Sequence, residues 1–264
     1  MDKQVVVITG GSSGIGKNAA EILSRKEYIV YELSRSGQDN GKITHINCDI
    51  TNCSEVESAI KSVIDSEGKI DILINNAGFG ISGALEFTEI EDVKRIFDVN
   101  LFGAIRTIKA VVPYMRAQKS GRIVNVSSVA GDIALPFQSM YSATKASLNS
   151  LTLALRSELA PFNISVTAVL PGDASSGFTA ARKKTHVGDD IYSGRIERSV
   201  AIMERDELRG MDSKIVAKSV VMAATKRNVL AIYTIGFSYK LFVLIVKLLP
   251  RTLTNRIVAM IYAK

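Results

Sequence analysis

Residues 4–26, QVVVITGGSSGIGKNAAEILSRK, contain a strand, a glycine-rich turn and a helix in that order. The run Gln4–Ile8 is Val-rich and apolar, and Lys17–Lys26 has the spacing of a helix. Glycines in such a turn let the backbone approach a phosphate, and the free N–H groups of the helix N-terminus face it. The sequence therefore predicts an α/β protein that holds a dinucleotide here. The residues expected at the phosphates are Gly10, Ser12, Ser13, Gly14, Ile15 and Gly16.

The end of the second predicted strand, Tyr28–Leu33, bears on the choice of cofactor. It leads into Ser34 and Arg35, and an arginine here suits the 2′-phosphate of NADP(H). Glu32 lies about 20 residues past the glycines, where the acid that binds the ribose of NAD(H) is expected. Because Glu32 lies inside the strand, we interpret it as structural, paired with a nearby base. The sequence favours NADP(H), with NAD(H) as the alternative.

Three further predicted strands, 43–48, 70–74 and 164–170, lead into polar or small residues that can lie against a cofactor. Asp49 is placed where it can contact adenine, although it or Ser54 can instead cap the next helix. The small residues after the fourth strand let a cofactor lie close to the sheet edge, but they also suit an ordinary turn. The expected contacts are Asp49, Ile50, Asn76, Ala77, Gly78, Pro171 and Gly172.

The stretch 121–145, GRIVNVSSVAGDIALPFQSMYSATK, carries the candidate catalytic groups. Its first part is a predicted buried strand that ends near Ser128, and its last part begins a helix. Tyr141 and Lys145 are four residues apart and share one face of that helix. An ammonium group lowers the pKa of a neighbouring phenol, which can then exchange a proton with an alcohol or ketone oxygen. The Ser128 hydroxyl is placed to hydrogen-bond the same oxygen.

Asn100 lies inside a long helix that the sequence predicts at 90–117. Asparagine is a mediocre helix former, so it can locally free a backbone carbonyl to hold a water molecule. An exposed helical asparagine is the alternative, but its apolar neighbours make a buried position the better prediction.

Together these motifs resemble those of the short-chain dehydrogenase/reductase family in its single-domain form. The resemblance implies a Rossmann-type, doubly wound parallel sheet of about seven strands with helices on both faces. It also implies NAD(P) across the carboxyl ends of the strands. The matching pieces, in the family's order, are TGGSSGIG at 9–16, NNAG at 75–78, Asn100, Ser128, YSATK at 141–145 and PG at 171–172.

The same resemblance implies roles for individual residues. Tyr141 is the general acid/base, Ser128 orients the substrate oxygen, and Lys145 lowers the Tyr141 pKa and binds the nicotinamide ribose. Asn100 holds the water of a proton relay. After the Pro-Gly pair the family has a β-branched residue, a spacer and a threonine, whereas this chain has residues 173–176, DASS. Ser176 is expected to replace that threonine at the nicotinamide amide.

Composition limits the class of protein. The 264 residues are 47% hydrophobic, which suits one domain over 1–264 with a sizeable core. The start lacks the pattern of a signal peptide, and no uncharged stretch reaches a membrane-spanning length, so we expect a cytoplasmic protein. Two cysteines and two histidines indicate no metal site. The net charge of +7 comes entirely from residues 226–264, which argues against a nucleic-acid-binding face.

The last third of the chain is expected to select the substrate. Residues 173–212 are polar and are predicted to form a loop region that covers it. A hydrophobic substrate pocket is predicted from Phe79, Leu135, Phe137 and Met140. A hydroxysteroid is the first prediction, with 3-oxoacyl, retinoid or other lipid carbonyls as alternatives and a non-catalytic NAD(P)-binding regulator as the rival class. An anionic substrate is a weaker alternative, resting on Arg182, Lys183, Lys184 and His186.

Residues 237–264, here called the C-terminal tail, are apolar and basic. Three interpretations remain open: the tail covers the substrate site, forms a subunit interface, or lies on an anionic membrane surface. The family resemblance also implies a homo-oligomer, dimer or tetramer, built through the helices at 90–117 and 139–160.

Overall fold

The computed structural model of the chain describes residues 3–263, so both the start of the predicted domain and Lys264 of the C-terminal tail lie outside the described residues. Its centre is a seven-stranded sheet in which all neighbouring strands are parallel. The strands are β1 (Val5–Thr9), β2 (Ile29–Ser34), β3 (Ile43–Asn47), β4 (Ile72–Asn75), β5 (Gly121–Val126), β6 (Ile164–Leu170) and β7 (Ile232–Thr234). Their spatial order is β7-β6-β5-β4-β1-β2-β3, so the strand order reverses between β1 and β4.

Helices cover both faces of this sheet, and the residues of β1 alternate between the two faces. Val5 and Val7 pack with one set of helices, whereas Val6 and Ile8 pack with the other. The Rossmann-type α/β fold predicted from the sequence is therefore confirmed. The helices are α1 (Gly14–Arg25), α2 (Cys53–Glu67), α3 (Ile90–Phe97), α4 (Gly103–Gln118), α5 (Ser139–Leu159), α6 (Arg195–Leu208), α7 (Ser213–Thr225), α8 (Phe237–Leu248) and α9 (Arg251–Tyr262).

The chain is helical over the predicted range 90–117, but this helix is not α-helical throughout. A π-helical turn, Asp98–Phe102, separates α3 from α4 and places Asn100 at its centre. Such a turn widens the helix and is often found at functional sites. The apolar spacing continues through it, so the sequence pattern alone gives no signal of the interruption.

Residues 173–212, predicted as a loop region, include a helix of 14 residues. This helix, α6, buries Ile196, Val200 and Met203 along one side. These residues have the spacing of one helix face, but charged residues surround them and hide the pattern. A short helix, Phe178–Ala181, precedes α6 and lies close to the carboxyl ends of the sheet strands.

The described part of the C-terminal tail forms two helices, α8 and α9, as the sequence predicted for an apolar helical extension. Their inner faces pack against the segment that follows β5, through Val243 and Val258 on the helices and Val129 and Ile133 on the segment. Among the described residues, no helix has the length and hydrophobicity needed to cross a bilayer.

Candidate active site

A cavity of about 1300 Å³ lies along the carboxyl edge of the sheet, at the reversal of strand order. In open α/β sheets this is where ligands bind. Its volume exceeds the range of roughly 300–1000 Å³ typical of small-molecule sites, so it has room for a dinucleotide and a second ligand. Gly16 and Asn100 are predicted site residues that do not line the cavity. The other predicted site residues, which all line the cavity, are Gly10, Ser12, Ser13, Gly14, Ile15, Ser34, Arg35, Asp49, Ile50, Asn76, Ala77, Gly78, Ser128, Tyr141, Lys145, Pro171, Gly172 and Ser176.

The glycine-rich turn has the geometry of a phosphate cradle. Gly10 adopts a left-handed conformation with φ of +64°, and a Cβ on Gly16 would lie only 2.3 Å from the Gly10 carbonyl oxygen. Asn76 ties this turn to the end of β4, because its Nδ2 donates to the carbonyl oxygens of Thr9 and Gly10, each at 3.1 Å. These residues fit a dinucleotide, because the turn lines the cavity, leads into the N-terminus of α1 and has no room for a side chain at Gly16.

The end of β2 presents Arg35 to the cavity and directs Glu32 away from it. Arg35 is exposed and lines the cavity. Glu32 is buried, is paired with His45 and accepts a hydrogen bond from the Ser34 hydroxyl at 3.2 Å. The interpretation of Glu32 as a structural carboxylate paired with a nearby base therefore agrees with the structure. Arg35 is the charged group of this strand end that an adenosine ribose would meet.

Asp49 lines the adenosine end of the cavity, and neither it nor Ser54 caps α2. Asn52 is the N-cap, with its side chain accepting from the backbone N–H groups of Ser54 and Glu55. Asp49 instead accepts hydrogen bonds from the backbone and the hydroxyl of Thr51 at 2.9 and 2.8 Å. Burial acts to raise its pKa, but these bonds together with the charges of Arg35 and Arg106 leave the Asp49 pKa below its ordinary value. An ionised carboxylate therefore stands beside the cavity.

The strand end at β5 and the helix α5 bring Ser128, Tyr141 and Lys145 together. Tyr141 and Lys145 are buried, and the Lys145 Nζ lies 5.7 Å from the centre of the Tyr141 ring. That ammonium group donates to the Val126 carbonyl oxygen at 2.9 Å, which holds it at the base of the cavity. Ser127 and Ser128 both line the cavity, but the Ser127 hydroxyl donates to the Lys145 carbonyl oxygen and is buried.

Burial controls the protonation of Tyr141. Burial is the largest of several influences, which together raise the pKa of Tyr141 to about 12. The charges of Glu207 and Asp173 also raise this pKa. The hydrogen bond with Ser128 and the charge of Arg182 lower it. The sequence predicted that Lys145 lowers the pKa of Tyr141, but the pKa is raised, because desolvation of the phenol is the larger effect. The Lys145 ammonium group donates its hydrogen bond to a backbone carbonyl oxygen. Tyr141 is thus protonated at neutral pH, which is the form that donates a proton to a carbonyl oxygen.

We expect Lys145→Met to stabilise the folded protein at neutral pH while removing a candidate catalytic group. Burial lowers the pKa of Lys145 from 10.5 to about 8. The difference corresponds to about 3 kcal/mol of folding free energy lost to the buried charge. Losing the hydrogen bond to the Val126 carbonyl oxygen reduces the gain in folding free energy by about 1 kcal/mol. The net gain of about 2 kcal/mol should raise the thermal midpoint by roughly 4 to 8 °C.

The expected gain in stability of Lys145→Met depends on pH. Below the folded pKa of about 8 both folded and unfolded chains bind the proton, so the gain is complete; it disappears as the pH rises to 10.5. The measurement is thermal unfolding of wild type and Lys145→Met across this range, with the exposed Lys17→Met as control. A variant that is no more stable than wild type at neutral pH would contradict it.

Asn100 holds the loop after β4 rather than facing the cavity directly. Its Oδ1 accepts from the Phe79 N–H at 3.0 Å, and its Nδ2 donates to the Phe79 carbonyl oxygen at 2.9 Å. The same Nδ2 lies 3.2 Å from the Thr144 hydroxyl on α5. Asn100 therefore links the π-helical turn, the β4 loop and the helix that carries Tyr141. Its predicted role at a relay water stays a prediction.

The substrate side of the cavity is largely apolar, as the sequence predicted, but with different residues. Phe79 and Leu135 line it. Phe137 packs edge-on against Tyr192 instead, and Met140 packs in a cluster beside Tyr141. Sequence analysis expected residues 173–212 to cover the substrate and left the same role open for the tail, but it did not identify most of the residues in these segments that reach the site. The residues it missed include Asp173, Phe178, Glu207, Tyr239, Phe242, Val258 and Tyr262.

Three of the four basic residues suggested for an anionic substrate are already paired within the protein. Arg182 is buried and pairs with Glu207, and Lys184 pairs with Glu204. Lys183 pairs with Asp92 on α3. These charges hold the segment over the cavity in place, and they do not form a free anion site.

Ser176 stands where the threonine of the family motif is expected, and it lines the cavity near the glycine-rich turn. Its hydroxyl accepts from the Phe178 N–H at 3.3 Å, and a Cβ on Gly14 would lie 3.8 Å from the Ser176 Cβ. This position is compatible with the predicted contact to a nicotinamide amide, which stays a prediction.

A doubly wound parallel sheet with a glycine-rich turn after β1, and with serine, tyrosine and lysine at the carboxyl edge, defines an oxidoreductase of carbonyl and alcohol groups. The chain belongs to the short chain dehydrogenase family, whose model matches residues 4–186.

Relatives in this family agree with the fold and the class of reaction. A 3-ketodihydrosphingosine reductase of Bacteroides thetaiotaomicron is 38% identical over 231 residues, 86% of either chain. A short-chain dehydrogenase structure from Streptomyces avermitilis superposes with a TM-score of 0.83 at 27% identity and covers 92% of both chains. The structure of ElxO with NADP bound gives a TM-score of 0.75 at 25% identity and covers 90% of this chain and 99% of that one.

Proposed function

We propose that this protein is an NADPH-dependent reductase of a ketone on a long-chain lipid. The observation that carries the proposal is the buried, protonated Tyr141 beside Ser128 in a cavity with an apolar substrate side. The bound cofactor would supply a hydride from its nicotinamide C4. Ser128 would hydrogen-bond the carbonyl oxygen, and Tyr141 would give that oxygen its proton.

The preference for NADPH rests on the end of β2. Arg35 lines the cavity, while Glu32 is buried and does not, and its Oε1 pairs with His45. Arginine binds a 2′-phosphate with charge-assisted hydrogen bonds, and no carboxylate of β2 competes for a 2′-hydroxyl. NAD(H) remains the alternative cofactor.

The preference for a long-chain lipid has two supports. The relative from Bacteroides thetaiotaomicron is named for a lipid ketone, 3-ketodihydrosphingosine. In this chain, Phe242 and Val258 of the tail helices line the same cavity as Tyr141 and add apolar surface to it. A hydroxysteroid, which the sequence first suggested, is the second candidate because the same apolar surface would accept a sterol ring system.

The test is NADPH and NADH oxidation, measured side by side, against 3-ketodihydrosphingosine, a panel of oxo steroids, retinal and a 3-oxoacyl thioester. Turnover of the long-chain ketone with NADPH supports the proposal. Turnover confined to a steroid moves the substrate to the second candidate. Binding of NADPH without turnover of any ketone would favour a non-catalytic NAD(P)-binding regulator.

We also propose that the chain acts as one domain over residues 1–264, with the 173–212 segment and the C-terminal tail covering the substrate. It would work in the cytoplasm as a homo-oligomer. Leu153 on α5 and Phe102 beside α4 are 49% and 47% exposed, which suits an interface on these helices. Sedimentation of wild type and Leu153→Glu would test it, since a monomeric wild type excludes the interface.

The C-terminal tail is proposed as a peripheral membrane contact. While the inner side of α8 covers the cavity, its outer side exposes Phe237, Leu241, Leu244 and Leu248, spaced along one face and 83%, 47%, 55% and 77% exposed. Lys240, Lys247, Arg251 and Arg256 lie on α8 and α9, and no acidic residue follows Asp212. Apolar side chains with flanking cations are the features that bind a helix to an anionic bilayer surface.

We expect the double variant Phe237→Ser, Leu248→Ser to lose most binding to vesicles that contain phosphatidylserine. Removing two large apolar groups from the interface should weaken binding by roughly 100-fold. Vesicle co-sedimentation measures it, and the matched control is Ile215→Ser, Leu230→Ser, which removes two exposed apolar residues from outside the tail. Equal losses in both double variants, or no binding by wild type, would contradict the proposal.

A further inference from the structure

Asp173 is an unusual residue at its position. It follows the Pro171-Gly172 pair, where the motif described above has a β-branched residue, and it lines the cavity that holds Tyr141. An apolar or β-branched side chain at this position would extend the apolar lining of the cavity, whereas a carboxylate places a charge within it. The departure therefore puts an acidic group beside the reacting centre.

The Asp173 carboxylate has no positive partner within the described residues. Its Oδ2 accepts a hydrogen bond from the Tyr239 hydroxyl at 2.7 Å, and that hydroxyl also accepts from the Asp173 backbone N–H at 3.0 Å. Burial raises its pKa, and the one arginine of this region, Arg182, is committed to Glu207. A half-buried carboxylate with a single side-chain hydrogen bond is incompletely compensated for its loss of water.

Tyr239 fixes the direction of this carboxylate. The ring lies against Gly172 so closely that a Cβ on that glycine would be 2.2 Å from the ring. Tyr239 belongs to α8, so the tail holds Asp173 at the cavity wall through one carboxylate oxygen, Oδ2. Asp173 is also close enough to Tyr141 to raise the pKa of that phenol.

We propose that Asp173 binds a protonated amine on the substrate, next to the ketone that is reduced, so that the enzyme prefers long-chain amino ketones. This inference rests on the proposed function and deepens it. The amine supplies the cation that Asp173 lacks, and the geometry places it within the same cavity as the carbonyl oxygen held by Ser128 and Tyr141. Glu207, which also lines the cavity, is already neutralised by Arg182 and does not compete for the amine.

The test compares kcat/KM for 3-ketodihydrosphingosine and for the same chain without its amino group, at a pH where the amine is protonated. For wild type we expect the amino ketone to be favoured. Asp173→Asn keeps the shape and the acceptor for Tyr239, and it should lower kcat/KM for the amino ketone by roughly 10- to 100-fold. The ketone without the amine makes no charged contact with Asp173, so the ratio of kcat/KM for the two ketones should fall toward one in the variant.

Two controls separate the possible failures. Asp132→Asn removes a carboxylate that Lys247 already neutralises at 3.3 Å, and it should leave the preference unchanged. Inhibition by dodecylamine against dodecanol gives a readout without turnover, and Asp173→Asn should abolish the stronger inhibition by the amine. If wild type reduces both ketones equally well, Asp173 does not bind an amine although the proposed function stands. If wild type reduces neither ketone, both proposals are overturned.

Discussion

Tyr141→Phe should lower the turnover of a verified ketone by roughly 10²- to 10⁴-fold, the range that general acid catalysis contributes. The change removes one hydroxyl from a buried side chain and keeps the ring, which packs against Phe178 with 5.2 Å between ring centres. The proposed cofactor contacts are mainly the glycine-rich turn and the strand ends, so the dissociation constant for NADPH should change by no more than about twofold. Stopped-flow oxidation and fluorescence titration of NADPH measure the two quantities.

The matched control is Tyr262→Phe, which also removes a phenol from the cavity. Burial raises the pKa of Tyr262 to about 12, as it does for Tyr141, but Tyr262 lies on α9 with the apolar covering residues. We expect Tyr262→Phe to lose less than tenfold in turnover. Comparable losses in the two variants, or full turnover in Tyr141→Phe, would exclude Tyr141 as the proton donor.

Arg35→Asp should weaken NADPH binding by roughly 100-fold while it changes NADH binding by a few fold at most. The variant removes charge-assisted hydrogen bonds to the 2′-phosphate and adds a repelling carboxylate at the same place. The ribose of NADH carries no phosphate there, and a carboxylate at a strand end is an accepted partner for its 2′-hydroxyl. Competition titrations with both cofactors at one ionic strength measure the ratio, since the effect is sensitive to salt.

Arg25→Asp makes the same charge change at the far end of α1, away from the cavity, and should leave both affinities unchanged. An equal loss of NADPH and NADH binding in Arg35→Asp would mean that Arg35 has no role in distinguishing the phosphate. In that case the proposed preference for NADP(H) would be wrong, and NAD(H) would become the better proposal for the cofactor.

The fold was largely predictable because its signals are local. Strand β6 occupies Ile164–Leu170 as predicted, since buried parallel strands are continuous apolar runs. The π-helical turn around Asn100 was missed because it leaves the apolar spacing intact. Helix α6 was missed because its buried face has only a few apolar residues among many charges. Both misses arise where tertiary contacts, rather than local pattern, decide the backbone.

The candidate site was predictable wherever its residues follow a strand directly. Ser128, Tyr141 and Lys145 meet because a strand end and the next helix bring them together, and the cavity includes all three. The pair Asp173 and Tyr239 was not predictable, because 66 residues separate them and only the packed tail joins them. The sequence left the role of the tail open. The structure places its inner face over the cavity and leaves an apolar outer face exposed.

The most direct test of the central claim uses NADPH with deuterium at both C4 positions and a long-chain ketone as substrate. If this chain transfers a hydride to the carbonyl carbon and Tyr141 supplies the proton, mass spectrometry will find one deuterium on the carbinol carbon of the product. The label will stay there in water, because only the oxygen-bound proton exchanges. A product without deuterium, or no product from an enzyme that binds NADPH, would contradict the account.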